Sequence, residues 1–334
     1  GLTYRPDAFN TALTWEKTTT YNAGLDLGFA NDRFTASIDY YYRKTTDLIN
    51  TVTVAAGSNF RNKVTSNVGE LHNQGLEFSL TYRPIVTKDW RWEIGYNLTY
   101  NDNKIDKLVA SDDPNYKILH GGLAVGDSGS DGIQAWAVGH PVSAYYTYQQ
   151  VYDQNGLPIE GEFVDRNGDG IINSNDRYFY KKADADVLMG FTSKLIYKNW
   201  DFSFSLRASL GNYAYNAVEA SNSNVEVERL YNGSSWHNVP TMVLEKKWNY
   251  VSTEDGLSDY FIQNASFLKC DNITVGYSFE KLFSLPISGR IYATAQNVFT
   301  ITKYKGIDPE INGGYDGNIY PRPFTGVLGL NLNF

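Results

Sequence analysis

The chain has 334 residues, with 29 basic against 37 acidic side chains for a net charge of −8, and its mean hydropathy is −0.40. That balance, with no basic stripe, argues against nucleic acid as a partner; no apolar run approaches the ~20 residues of a membrane helix, and the single Cys270 excludes an internal disulfide framework. Aromatic residues make up 15% of the chain, so large apolar groups are abundant while apolar runs are scarce. No charged-then-apolar leader follows Gly1, and no targeting segment is read.

The dominant pattern is alternation, which sends successive side chains to opposite faces of a strand. It begins at Tyr21, Ala23, Leu25, Leu27 and Phe29, with Asn22, Gly24, Asp26 and Gly28 between them. After a turn at Asn31 and Asp32 it resumes at Phe34, Ala36, Ile38, Tyr40 and Tyr42, then at Leu76, Phe78, Leu80 and Tyr82, and at Trp90 through Tyr100. Further strands are predicted at Met189 to Tyr197, Trp200 to Leu210, Ile273 to Phe279, Ile291 to Ala295 and Phe324 to Phe334. No helical segment of comparable strength is found.

These strands run to roughly ten residues or more, which exceeds a usual soluble strand and suits a tilted crossing of a bilayer. Aromatic residues gather at strand ends, as at Phe29, Tyr40 to Tyr42, Tyr100, Tyr197 and Trp200, in the manner of interfacial girdles. Short turns at 30–33, 84–89, 198–199 and 280–287 alternate with long connections at 44–73, 101–185, 212–264 and 299–322. The predicted fold is therefore all-β: a transmembrane antiparallel β-barrel embedded in outer-membrane lipid, with long extracellular loops. A soluble sandwich or propeller is the alternative. Parity closes if the stretch from Val142 to Tyr152 stays in an outer loop, leaving about nine crossing strands. Single-chain bacterial barrels have even counts, so residues 1–334 are expected to be the C-terminal part of one larger barrel domain, with 101–185 as a long extracellular loop region.

One loop carries a metal-binding pattern. DRNGDGIINSND, residues 165 to 176, sets Asp165, Asn167, Asp169, Asn173 and Asp176 at Ca²⁺-loop spacing, with Gly170 for the turn and the Ile171 carbonyl as a further ligand. The flanks GEFV and RYFYKK are not helical in pattern, so the expectation is a structural Ca²⁺ clip and not a sensor; an Asx-rich turn without metal is the alternative. GDSG at 126–129 lacks recognisable triad partners, and the four histidines have no ligand spacing, so no catalytic site is expected and the chain is read as not an enzyme. Trp136, Tyr231, Trp236 and Trp248 lie in outer loops, where they can stack on a ligand, pack on a partner, or simply pack within the loop.

Several segments carry a family likeness. LTWEKTTTYNAGLDLGFANDRFTASIDYYYRKTTDLI (13–49), NQGLEFSLTYRP (73–84), FVDRNGDGIINSNDR (163–177), SFLKCDNITVGYSF (266–279) and AQNVFTITKYKGIDPEI (295–311) resemble the C-terminal portion of the SusC-like transporters, a branch of the TonB-dependent outer-membrane receptors of Bacteroidetes. The terminal GLNLNF, with Leu330, Leu332 and Phe334, is similar to the signal read by the barrel-assembly machinery. The resemblance implies a complete barrel of ~22 strands, of which this chain would supply about nine, and import of an oligosaccharide or oligopeptide, energised by the TonB complex and assisted by a SusD-like lipoprotein lid. A TonB-dependent receptor for an iron chelate or cofactor is a second reading, and an outer-membrane adhesin or enzyme barrel a third.

Overall fold

The computed structural model of the chain describes residues 7–108, 115–123, 132–223, 243, 245, 252–281 and 286–334. Four long strands come first: β1 (Lys17–Phe29), β2 (Phe34–Thr53), β3 (Lys63–Val86) and β4 (Trp90–Leu108). Six short strands follow in one excursion: β5 (Ile118–His120), β6 (Gln134–Trp136), β7 (Ala144–Thr147), β8 (Gln150–Tyr152), β9 (Pro158–Phe163) and β10 (Tyr178–Lys182). Next are β11 (Val187–Tyr197) and β12 (Trp200–Leu210). A second excursion holds β13 (Tyr213–Tyr215), the short helix α1 (Ala217–Asn222) and β14 (Ile262–Asn264). The last strands are β15 (Phe267–Phe279), β16 (Ser288–Thr302) and β17 (Thr325–Asn333).

Nine strands form one antiparallel sheet in the order β1-β2-β3-β4-β11-β12-β15-β16-β17, the nine that alternation predicts. The stretch 142–152 lies outside it, with β7 paired to β10 and β6 in a separate four-stranded sheet. Register makes the two faces chemically distinct. Leu25, Ile38, Phe78, Leu98, Met189 and Ala208 are successive cross-strand partners, and so are Trp90, Tyr197, Trp200, Tyr277, Ile291 and Leu330. Shifted by one residue, the row reads Asp26, Ser37, Ser79, Asn97, Gly190, Arg207 and Lys269. One face is thus apolar and the other polar along the whole sheet.

None of the described residues covers the apolar face, on which Leu328 is 86% exposed. On this face the Ser193 hydroxyl accepts the Trp92 indole N–H at 3.0 Å, so the donor is not left bare to lipid. Aromatic rings line the end where the turns are short: Trp90 stacks near Tyr197 at 4.1 Å, Trp200 near Tyr277 at 4.9 Å, and Phe34 lies between Phe29 and Tyr82. Tyr41, counted with the strand-end aromatics above, belongs to the polar face opposite Gly75.

Two loop expectations change. The connection expected at 44–73 is mostly a hairpin, because β2 and β3 continue to Thr53 and Lys63 and leave only residues 54–62 outside the strands. A register shift with Asp47 at φ 58° bends β2 there, and beyond it the strands rise past the zone in which one face must be apolar. The 101–185 excursion likewise starts later, since β4 runs to Leu108, and it ends just before Val187.

Placing arginine at Phe78 should lower the stability of the membrane-embedded protein by ~2 to 4 kcal/mol, against a much smaller cost for arginine at the adjacent lumen-facing Ser79. Equilibrium unfolding from lipid vesicles measures both; equal costs would contradict the assignment of faces.

Candidate functional site

The polar face is a wall of hydroxyls, amides and paired charges. Ser37 and Ser79 share a hydrogen bond of 2.7 Å, Thr274 and Thr294 one of 2.9 Å, and Asn272 donates to Ser205 at 2.6 Å. Toward the long-loop end, Arg207 on β12 and Lys269 on β15 project from this wall and meet the connection between β16 and β17. Lys269, 2% exposed, donates to Asp308 at 2.6 Å and to Glu310 at 3.1 Å. Arg207 pairs with Asp271 at 2.6 Å and Glu310 at 2.9 Å, and Arg322 reaches Glu310 at 2.5 Å. Burial pushes the Glu310 carboxyl up, but Arg207 and Lys269 outweigh it and hold the group at about 2, below its ordinary 4.5. Three cations and three carboxylates therefore fasten the segment 303–324 against the lumenal wall.

The outer excursions share one core. Leu123, Ile133, Tyr145, Tyr148 and Phe163 from the first pack with Tyr215, Ala217, Ala220, Val243, Leu257, Phe261 and Ile262 from the second, and Tyr315 of the last joins them. Polar ties run through it: the Tyr145 hydroxyl donates to Gly314 O at 2.8 Å and Tyr213 O at 3.0 Å, and Tyr215 to Gly256 O at 2.8 Å. The backbones of Tyr148 and Asp259 also bond across, at 2.9 Å. Three loops thus behave as one packed unit standing over the wall.

The 165–176 loop belongs to the first excursion. Both Asp165 oxygens accept backbone N–H groups, from Gly168 at 2.7 Å and Gly170 at 2.8 Å, and both glycines have positive φ, 74° and 80°, which curls the chain around this carboxylate. The Asn167 oxygen accepts from Asp169 N at 2.9 Å while its amide nitrogen donates to the Asp169 carboxylate. Asn173 caps the 3-10 turn Ser174–Asp176 and donates to the Ile171 carbonyl at 3.3 Å. Asp176 is fully buried and takes N–H groups from Asn173 and Arg166, both at 2.9 Å. The Asn173 N–H leads in holding its carboxyl below the usual range, against burial, with Arg166, Asn167 and a contact to Asp165 adding to it. The last carboxylate of the pattern therefore folds back onto the backbone that follows the first. Among the described residues no group of three or more His, Cys, Asp or Glu side chains converges on one point, so a cation here would rely on amide and carbonyl oxygens as well.

Trp136 is half-buried, edge-on to His120 at 5.4 Å, and lines an apolar cavity of about 40 Å³ with Leu48, Val68, Leu71, Ile105, Leu108 and Val142. Tyr231, Trp236 and Trp248 lie outside the described residues. Leu330 faces outward opposite Ile291, Leu332 pairs with Gly289, and Phe334 stands just past the strand at 94% exposure. Sequence reasoning missed the ionic latch: strand parity places Arg207 on the lumenal face of β12, but Lys269 shares the parity of the outward Ile273 and turns to the lumen only through the bulge at Asp271.

A family model described as TonB dependent receptor-like, beta-barrel, matches residues 2–158. TonB-dependent receptor SusC of Bacteroides thetaiotaomicron is 51% identical over 99% of the chain, and TonB-dependent receptor P3 of Formosa agariphila 29% identical over 98%. The chain belongs to the SusC-like TonB-dependent receptors. A solved structure titled as that of the RagAB peptide transporter superposes on 97% of the chain with a TM-score of 0.76 at 25% identity. The chain spans about a third of these relatives, 33%, 35% and 36% of their respective lengths. These relatives are receptors and transporters, not enzymes, and their family places the barrel in the outer membrane of Gram-negative bacteria.

In the SusC-like receptor, replacing Lys269 by methionine leaves Asp308 and Glu310 facing each other without their buried cation. The expected cost is ~3 to 5 kcal/mol, with hydrogen exchange rising in 303–324, whereas Arg322→Ala, half exposed, should cost ~1 kcal/mol or less. Because the Glu310 carboxyl is depressed, its contribution is complete above pH 4.5 and is lost as the pH falls toward 2. Thermal unfolding of both variants with exchange mass spectrometry checks this; unchanged protection of 303–324 in Lys269→Met would contradict it.

Proposed function

We propose that the chain forms wall and outer mouth of an importer for a nutrient such as an oligosaccharide or oligopeptide, energised through TonB and working with a SusD-like surface lipoprotein. The observation that carries this reading is the 51% identity to SusC along nearly the whole chain. The geometry agrees with it. A face of hydroxyls, amides and balanced ion pairs lets a hydrated cargo pass without a strong trap, and the packed loop unit offers a lid a firm surface. No nucleophile, base and oxyanion donors need assembling for such a task, and the chain is read as a non-enzyme.

The same reading assigns Ca²⁺ to the 165–176 loop, held by Asp165, Asn167, Asp169, Asn173, Asp176 and the Ile171 carbonyl, as a structural clip. Support comes from the return of Asp176 to the backbone beside Asp165 and the glycine-shaped turn between them. Oxygen ligands suit this hard cation, and the ion would offset the repulsion of three aspartates in a segment whose ordering is entropically costly.

The import reading is tested by deleting the gene for the whole protein and following growth on defined oligosaccharides and oligopeptides, with purification of the tagged protein from membranes. The expected result is growth lost on one of these cargo classes but kept on its monomers, with a surface lipoprotein co-purifying. Growth lost only under iron limitation would transfer the protein to the iron-chelate receptors. For the loop, limited proteolysis of the full-length receptor should show 165–176 protected in millimolar Ca²⁺ and cut in chelator, with Asp169→Ala cut in both. Identical cleavage of the wild type in both conditions leaves the turn without a metal.

A further inference from the structure

The lumenal wall contains a tie that uses a glycine as its seat. Tyr41 on β2 pairs with Gly75 on β3, which pairs with Asn101 on β4. A Cβ on Gly75 would lie 2.5 Å from the Tyr41 hydroxyl and 2.6 Å from Cζ, so the ring lies flat across the middle strand. Having crossed it, the hydroxyl donates to Asn101 Oδ1 at 2.7 Å. Three strands are thereby clamped by one side chain.

A second run of the same kind leads to the sheet edge. Arg290 on β16 binds Asp201 on β12 at 2.6 Å over Gly276 of β15, whose Cβ would fall 2.5 Å from both side chains. The Arg290 guanidinium lies over the Tyr292 ring, 4.8 Å from its centroid, and pins it against the wall. Tyr292 pairs directly with Gly329 on β17, and its Cζ and hydroxyl occupy the space a Cβ on Gly329 would need. The ring therefore points across β17, as Tyr41 points across β3. Beyond β17 the sheet ends, and no hydrogen bond among the described residues uses the Tyr292 hydroxyl.

We propose that Tyr292, seated on Gly329, ties β17 to the strand that closes the barrel, and that this strand presents a lumen-facing hydrogen-bond acceptor opposite Gly329. The occupant is a strand of this same protein from outside the 334 residues, because a membrane barrel leaves no open edge and the chain spans only a third of its relatives' length. The acceptor is Asn, Asp, Gln, Glu, Ser or Thr, the role Asn101 fills for Tyr41. The proposal rests on the barrel and is independent of what the barrel carries.

The test uses the full-length receptor in outer membranes, with Tyr292→Phe, Gly329→Ala, their double variant, and Tyr41→Phe as the tie whose acceptor is known. The readout is the temperature at which the compact, unboiled band in detergent gels converts to the extended form. Tyr292→Phe should convert at a lower temperature than the wild type, by a shift similar to that of Tyr41→Phe. Gly329→Ala should shift it at least as far, and the double variant no further than Gly329→Ala alone, since the displaced ring has already lost its bond. If Gly329→Ala does not assemble, the comparison of Tyr292→Phe with Tyr41→Phe decides. Conversion of Tyr292→Phe at the wild-type temperature overturns the proposal, as does an apolar lumen-facing residue opposite Gly329 in the complete barrel.

Discussion

Everything in this molecule depends on a pleat that separates two solvents. In a strand each residue faces away from its neighbours, so one register error would exchange lipid for water along a whole segment. Nine strands keep that register from Leu25 to Leu330, and the few polar atoms on the outward face are satisfied locally, as Trp92 does for Ser193. With neighbouring strands paired along almost their whole length, interrupted only at local bulges, the wall is held without a conventional hydrophobic core.

That rigidity is what the loops build upon. The apolar groups that a soluble protein would bury inside are found here outside the sheet, in the joint core of the outer excursions around Tyr145, Tyr215 and Phe261. The ionic latch of Lys269, Asp308 and Glu310 then joins this unit to the lumenal wall. Burying a lysine is costly unless it is paired, and pairing it with two carboxylates of one loop makes the position of that loop specific. On the import reading proposed for the whole protein, such definition would let cargo and lid meet the same surface each cycle.

Much of the wall was legible in the sequence because its period is local: Leu25, Leu27 and Phe29 disclose the strand without reference to any partner. The upper parts of β2 and β3 were not, since Thr45 to Thr53 lie beyond the lipid and no longer need to alternate. The latch joins Lys269 to Asp308, 39 residues away, and the loop core joins Tyr145 to Gly314 across 169 residues, so neither has a pattern a single segment can carry. The 165–176 loop stands between these cases. Its turn geometry follows from Gly168 and Gly170, while Trp136, read as an outer-loop aromatic, faces an apolar cavity that only the folded arrangement of β3, β4 and β6 creates.

The central claim is the division of solvents, and cysteine scanning of β12 from Trp200 to Leu210 in the native membrane tests it most directly. Each single-cysteine receptor would be treated with a membrane-impermeant thiol reagent and, separately, labelled with a fluorophore and quenched by nitroxide lipids. The account predicts period-two opposition: thiol labelling at 201, 203, 205 and 207, and lipid quenching at 200, 202, 204, 206 and 208. Aqueous labelling at both sets, or quenching without alternation, would contradict it.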